Sequence, residues 1–327
     1  MISGAELGRH SDVTLKSLMM KKKQEGVLAF FARHNLEFSR KVGYGRSNST
    51  YARYQTVLHH LTEYVRFRYR RDDVMLSGIR ASFVDGFDTW LRKRHGLAPN
   101  TVWGYMISLK HVLGLALRER LLPADPFADY INSYTPVDRG WLSEEELVRL
   151  MQEPTASRVE ERVRDIFLFS AFTGLSYIDI SNLREGNLRQ LFDGNWWIVT
   201  RRHKTRTDSN VLLLDVPLRL IEKYRGTLPD GRLFPVPSNN CCNVHLHALE
   251  RRCGFRTHLT FHVGRHTFAT LALNRGMPVE TLSRILGHTN IRTTQIYARI
   301  TNQKISQDMA ALAEKLSRVE ADICTKL

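Results

Sequence analysis

The stretch Thr260-Phe-His262-Val-Gly-Arg265-His266-Thr-Phe-Ala-Thr270 decides how this chain is read. Taken as a helix, it puts His262 and Arg265, three residues apart, on one face. A guanidinium that can grip phosphate through two parallel N–H bonds, beside an imidazole that can take up a proton, suits phosphoryl chemistry. Alone, such a pair also occurs on ordinary solvated helix faces. Twenty-one residues after Arg265 begins Leu286-Gly287-His288: a helix finish at Leu286, a glycine cap and another imidazole. Nine residues beyond His288 stands Tyr297, in the first turn of a helix opened by Thr293-Thr294. Each element has a dull explanation by itself, a core aromatic or a helix-end cap. Their order and spacing together do not.

Working outward, the chain has 327 residues, enough for two domains of roughly 150. Apolar residues at 43% and charged residues at 25% fit a globular protein with a sizeable core, which excludes a disordered tail, a collagen-like fibre and a disulfide mini-scaffold. The formal net charge is +15, unevenly spread. Residues 1–120 hold 21 basic and 10 acidic side chains, and the other 207 residues hold 27 and 23. A strongly basic front half points to a polyanionic partner, most often nucleic acid. Cys241-Cys242, followed by His245, His247 and Cys253, invites a zinc reading. Adjacent cysteines are poor ligand spacing and no Cys-x-x-Cys unit accompanies them, so ordinary thiols of a reducing cytoplasm are expected. No apolar run approaches the roughly 18 residues of a membrane span, and the first residues lack a signal-peptide core. A cytoplasmic protein without a membrane partner is the expectation.

Residues 1–25 form a short basic lead-in ending in Lys21-Lys22-Lys23. Residues 26–130 read as helical throughout. Asn48-Ser-Thr opens a segment whose Tyr54, Val57, Leu58, Leu61 and Val65 fall on one stripe, and Asn100-Thr-Val opens another with Val102, Met106, Leu109 and Leu113. The second is expected to stop near Leu121-Leu122-Pro123. Between them, Arg66 to Arg71 interleaves arginines with aromatics. Such a basic helical bundle grips DNA through its phosphates, with Arg53 and Lys110 as candidate contacts here and Arg201 in the back half. Residues 131–142, with Pro136 and Gly140, read as a linker before the capping box Ser143-Glu-Glu-Glu146, which starts a second domain over 143–300. Within it, Asn195 to Thr200 and Val211 to Val216 predict a small β-hairpin, with helix resuming from Leu218 to the C-terminus.

At this point the sequence resembles the tyrosine recombinase family, the phage-type integrases. Their catalytic domains carry a His-x-x-Arg motif, a Leu-Gly-His motif and a Thr-Thr-x-x-Tyr segment, standing here as His262–Arg265, Leu286–His288 and Thr293–Tyr297. The resemblance extends over about residues 26–315, taking in Asp125-Pro-Phe, the box Ala171-Phe-Thr-Gly-Leu-Ser176-Tyr and a hairpin lysine matched by Lys204. It implies a mainly helical chain with a small β-sheet: an N-terminal SAM-like core-binding bundle and a C-terminal α+β catalytic domain. It further implies a site-specific DNA recombinase of a mobile element. Tyr297 would attack a phosphodiester to form a 3′-phosphotyrosyl link and His262 would move the proton. Arg265 and His288 would hold the phosphate, and Lys204 would protonate the leaving 5′-oxygen. No metal or nucleotide cofactor is implied. A type IB topoisomerase-like enzyme and a catalytically inactive DNA-binding regulator are the alternatives.

One departure matters. Family members usually carry arginine directly after Thr-Gly-Leu, and here that position is Ser176, as in a branch borne by conjugative transposons and related mobile elements. A substitute cation is required if the phosphate is to be clamped from both sides. If Ile198–Lys204 is extended, residues 202 and 204 share a face. Arg202 is then the preferred replacement, with Arg201 and Arg206 behind it. Finally, Ile305, Met309, Leu312, Leu316, Val319 and Ile323 draw an apolar stripe along a last helix over 301–327. The resemblance implies that this helix docks on a neighbouring protomer, building a ring-like tetramer on DNA.

Overall fold

The computed structural model describes residues 25–137, 139–202, 207–297 and 302–324. Its backbone packing divides the chain into two units, Met1–Val137 and Asp138–Leu327.

Among its described residues the front unit is built on four helices: α1 (Val27–Ser39), α2 (Asn48–Tyr69), α3 (Ala81–His95) and α4 (Pro99–Arg118). Helix α2 begins where the Ser47 side chain accepts the Thr50 amide. The stripe read from its sequence is the face that packs: Tyr54, Val57, Leu61 and Val65 are buried, Leu58 partly so. They meet Phe31, Phe83, Phe87 and Leu91, and Val102, Met106, Leu109 and Leu113 of α4 close the same core. Two sequence expectations shift here. Helix α4 starts with Pro99 in its first turn, so Asn100 does not cap it. The Asn100 amide instead bonds both backbone groups of Thr135, at 2.7 and 2.9 Å. The helix also stops at Arg118, before the proline, because Arg120 turns left-handed at φ 59° and ends the ladder.

In the second unit the capping box at Ser143–Glu146 is present and opens α5 (Glu144–Gln152). Then come α6 (Arg158–Thr173), the short α7 (Tyr177–Ser181) and strands β1 (Leu188–Gln190), β2 (Trp196–Arg201) and β3 (Asp208–Leu212). Helices α8 (Asp215–Tyr224), α9 (Asn239–Cys253), α10 (Phe261–Asn274), α11 (Val279–Leu286), α12 (Arg292–Gln295) and α13 (Asn302–Cys324) complete it. The sheet is antiparallel in the order β1-β2-β3, with Ile198 opposite Val211 and Arg201 opposite Asp208. The second hairpin strand is shorter than its apolar run suggests: β3 ends at Leu212, and the amphipathic period of α8 takes over at Asp215. Strand β2 ends at Arg201, and Arg202 follows with its amide donating to the Thr207 carbonyl at 2.8 Å; the rest of the alternation expected through residue 204 falls outside the described residues.

Helix α6 is the axis of this unit, burying Val163, Ile166, Phe167, Phe169 and Ser170. Helix α10 crosses it at Gly264, where a Cβ would stand 3.1 Å from the Ser170 side chain and 3.2 Å from the Phe167 carbonyl. The glycine between His262 and Arg265 therefore sets how closely their helix approaches the core. Cys242 and Cys253 are buried in that core and Cys241 is half-exposed. Burial pushes the Cys242 thiol up to about 12, so it stays protonated and packs as a small apolar group.

Candidate active site

Two helix ends make the site. Helix α6 finishes at Gly174 (φ +69°) and helix α11 at Gly287 (φ +61°), so both glycines of the Thr-Gly-Leu and Leu-Gly-His motifs are left-handed caps. Each leaves carbonyls without a partner in its own helix. Arg265 supplies one: Nη1 donates to the Gly174 carbonyl at 2.7 Å and Nη2 to the Leu286 carbonyl at 2.8 Å. The negative ends of two helices thus hold one guanidinium, which is 4% exposed. The sheet reads the other α11 carbonyls through hydroxyls on or beside β3, Ser209 on Ile285 at 2.6 Å and Thr207 on Gly287 at 2.7 Å.

His288 follows directly. Its Nε2 lies 2.8 Å from Arg265 Nη2, and since arginine only donates, Nε2 must accept. The proton is then on Nδ1, which donates to Thr294 Oγ1 at 2.7 Å. Burial, then the charges of Arg265 and Arg202, pull His288 down to about 4, so the ring is neutral at pH 7.

Tyr297 sits in the turn after α12 and is 9% exposed. Burial raises its hydroxyl pKa, and Arg265 first, then Arg139 and Arg202, act in the opposite direction. Its ring meets His266 edge-on at 4.9 Å, and His266 meets His262 at 4.7 Å, a row of rings from Tyr297 to solvent-exposed His262. His262 and Arg265 line an open cleft of about 460 Å³ together with Arg139, Ser176, Asn239 and Asn243.

Ser176 and Arg202 prove to be linked. Ser176 caps α7, its hydroxyl donating to Asp179 Oδ2 at 2.5 Å, and Arg202 Nη1 lies 2.5 Å from that same oxygen. The Asp179 side chain is 2% exposed and that of Arg202 10%. Burial lowers the Arg202 pKa against the pull of Asp179, and burial followed by Arg202 brings Arg265 down to about 10. Arg202 therefore stands as a fixed cation next to the serine and close enough to Arg265 to be felt by it. Its aliphatic stem lies over Gly287, where a Cβ would collide with it.

The structure brings Tyr297, Arg265, His262, His288 and Arg202 together. Lys204 and Arg206 lie outside the described residues. Arg201 does not join the site: it is exposed and pairs across the sheet with Asp208 at 2.7 Å. Tyr177, the other tyrosine inside a motif, spends its hydroxyl on the Pro237 carbonyl and its ring on Phe261. Arg53 and Lys110 lie exposed on α2 and α4 of the front unit. Sequence reasoning missed His266, Thr294, Asp179 and Arg139. The first was legible as the residue four after His262 on the same helix face. The others become visible only when separate elements meet. Among the described residues, the two groups of histidine and glutamate close enough to hold an ion both lie elsewhere.

Comparison with known proteins agrees with this geometry. Residues 140–304 match the phage integrase family and residues 26–134 the phage integrase SAM-like domain. The tyrosine recombinase XerD of Shewanella oneidensis is 25% identical over 286 residues, covering 80% of this chain and 90% of that protein. An integrase-named protein of Pseudomonas phage Pf1 is 30% identical over 176 residues, and there the alignment spans about half of each chain, 53% and 49%. The fold is that of the Tn1549 transposon integrase in complex with a circular intermediate DNA (TM-score 0.64, 17% identity, 88% of this chain and 99% of that one). It is also that of a lambda integrase dimer bound to a core site (TM-score 0.67, 14% identity, 85% and 98%). With a family match over half its length, a SAM-like domain ahead of it and the motif residues gathered in one site, this chain belongs to the phage integrase family of tyrosine recombinases.

Proposed function

We propose that the protein is a site-specific DNA recombinase, an integrase of a mobile element, that cuts and rejoins strands through a 3′-phosphotyrosyl intermediate. The observation that carries this is the convergence of Tyr297 with two buried arginines, Arg265 and Arg202, beside an open cleft. A tyrosine hydroxyl between fixed cations is arranged for attack on a phosphodiester, whose negative charge grows in the transition state.

In this reading Tyr297 Oη forms a bond to phosphorus as the bond from phosphorus to O5′ breaks. His262 takes up the phenolic proton as the base. Lys204 gives a proton to O5′, a task suited to a lysine ammonium. Arg265 and Arg202 hold the nonbridging oxygens from two sides, so that Arg202 does what the arginine absent at Ser176 does in other members. An arriving phosphate would take over the Arg265 donor now spent on His288. Its charge would also raise the His288 pKa, making the ring a donor in turn. The phosphotyrosyl ester conserves the energy of the broken bond, and a second 5′-hydroxyl reverses the step.

The front unit supplies affinity through phosphate contacts, Arg53 and Lys110 among them. Helix α13 leaves Met309, Leu312, Leu316 and Ile323 exposed, which supports docking of its stripe on a second protomer, as heterologous contacts that close into rings require. Ile305 and Val319 of that stripe lie outside the described side chains. Action on chromosomal and element DNA puts the working protein in the bacterial cytoplasm, on the nucleoid. The test is a suicide substrate nicked near the cleavage position, so that the short fragment bearing the 5′-hydroxyl escapes. An active recombinase accumulates covalent protein–DNA adduct on DNA from the ends of its element and none on unrelated duplex. Binding without adduct would make it an inactive regulator, and relaxation of plasmids lacking any attachment site would make it topoisomerase-like.

A further inference from the structure

We propose that His60, Glu63 and His95 form a binding site for a divalent cation of the zinc type, joining helices α2 and α3 of the front unit. His60 and Glu63 are three residues apart on α2 and so share a face, and His95 is the last residue of α3, held there by the left-handed cap at Gly96 (φ 58°). Glu63 Oε2 lies 3.4 Å from His60 Nδ1 and 3.5 Å from His95 Nε2. All three atoms fall within 4.8 Å of one another. A tetrahedral centre with bonds of about 2.0–2.1 Å separates its ligand atoms by roughly 3.3–3.4 Å. Glu63 therefore already stands at ligand-to-ligand distance from both rings.

A direct hydrogen bond would have drawn nitrogen and oxygen to about 2.7–3.2 Å. The contacts at 3.4 and 3.5 Å are longer than that, and His60 Nδ1, Glu63 Oε2 and His95 Nε2, all closed off from solvent, make no well-formed hydrogen bond. Three orphaned polar atoms pointing at one another is a pattern that native proteins avoid unless something sits between them. The rings are also fixed from outside. The His95 ring meets Trp90 edge-on at 4.4 Å and His60 at 4.6 Å, and Tyr105 lies 5.6 Å from His60. Exposed His59, with Nε2 3.7 Å from the other Glu63 oxygen, is not one of the three, so the fourth position falls to water.

Two imidazoles with one carboxylate favour zinc and its first-row neighbours over magnesium or calcium, which take oxygen ligands. The other group of this kind, His247, Glu250 and His258, has an ordinary account. Its Glu250 Oε2 accepts the Leu259 amide at 2.7 Å, and the His258 side chain is 67% exposed. A metal at the first group would pin the middle of α2 to the end of α3, stiffening the bundle without touching DNA.

The test is Zn²⁺ titration of the untagged full chain after chelator treatment. One equivalent should bind and raise the Tm, since a ligand of the folded state alone stabilises it. Co²⁺ in its place should give the d–d absorption of a tetrahedral site and no thiolate charge-transfer band. His95→Gln and Glu63→Gln should weaken uptake by about a hundredfold or more, since losing even a partner of a ligand costs roughly 10–100-fold. Circular dichroism and DNA affinity of the metal-free variants should match wild type, separating lost ligation from lost folding. Absence of uptake by the wild type overturns the proposal. So does uptake that survives His95→Gln and disappears in His258→Gln.

Discussion

The two units of this chain treat charge in opposite ways. Among the described residues of the front unit the buried polar ones are Asn35 and Ser108, both neutral, and the arginines of the basic run Arg66 to Arg71 stay on the surface. In the second unit Glu160, Asp165, Asp179, Arg202 and Arg265 are all buried. A surface cation interacts through water, is screened over about 10 Å at 0.1 M salt, and can follow a phosphate wherever it lies. A buried one is held in a single place, acts through a poorer dielectric, and needs partners to be tolerated at all. Arg265 finds them at two helix ends and Arg202 at Asp179. The first arrangement suits grip on a long polyanion, the second suits stabilising charge at one point.

The sharpest break between the two would be at the nucleophile. Tyr297→Phe removes only a hydroxyl, so covalent adduct on a suicide substrate should vanish while DNA affinity stays at the wild-type value in a filter-binding assay. Adduct that persists would put the nucleophile elsewhere. Next in size is Arg202→Ala, which should slow single-turnover cleavage by about a hundred- to a thousandfold, the value of one charge-assisted donor to a transition state. Its affinity for DNA and the salt dependence of binding should barely move, and Ser176→Arg added to it should recover part of the rate. Cleavage at the wild-type rate at saturating protein would return Arg202 to a purely structural role.

The front unit should show the reverse pattern. Arg53→Ala and Lys110→Ala should leave the cleavage rate at saturation unchanged, and each should lower the slope of log K against log salt by about 0.9 if it neutralises one phosphate. The smallest effect concerns pH. His288 titrates at about 4 in the folded chain and near 6.5 when unfolded, so between those values the unfolded state binds more protons. The stability that neutral His288 contributes is complete above pH 6.5 and is lost as pH falls towards 4. Tm measured across that window should therefore decline on acidification, and His288→Gln should flatten the decline. An unchanged profile would mean that the ring is not held neutral.

Much of the site was legible because its motifs are local. His262 and Arg265 share a helix face by spacing alone, and a glycine before His288 marks a helix end whatever surrounds it. Arg202 was legible as a candidate: it follows β2 with its amide on the Thr207 carbonyl and is buried where Arg201 before it is exposed, while Lys204, expected on the same face, lies outside the described residues. The signal that Asp179 receives Arg202 was hidden. Asp179 reads as a capping partner of Ser176 three residues away, and the sequence has no sign that a residue further on shares its oxygen.

By itself the sequence determined the periodic and the local: which faces of the helices are apolar, where Ser143–Glu146 opens a domain, and which residues could do phosphoryl chemistry. These depend on neighbours within a few residues, where backbone geometry sets the distances. Only the tertiary structure decided which partners complete them. The carbonyls that orient Arg265 come from Gly174, 91 residues away, and Leu286, 21 residues away. The tautomer of His288 is set by that same arginine, and the pairing of Arg202 by a helix that precedes the sheet. Hydrogen bonds and ion pairs across such separations depend on the packing of α6, α10 and α11 into one core, which no stretch of sequence specifies alone.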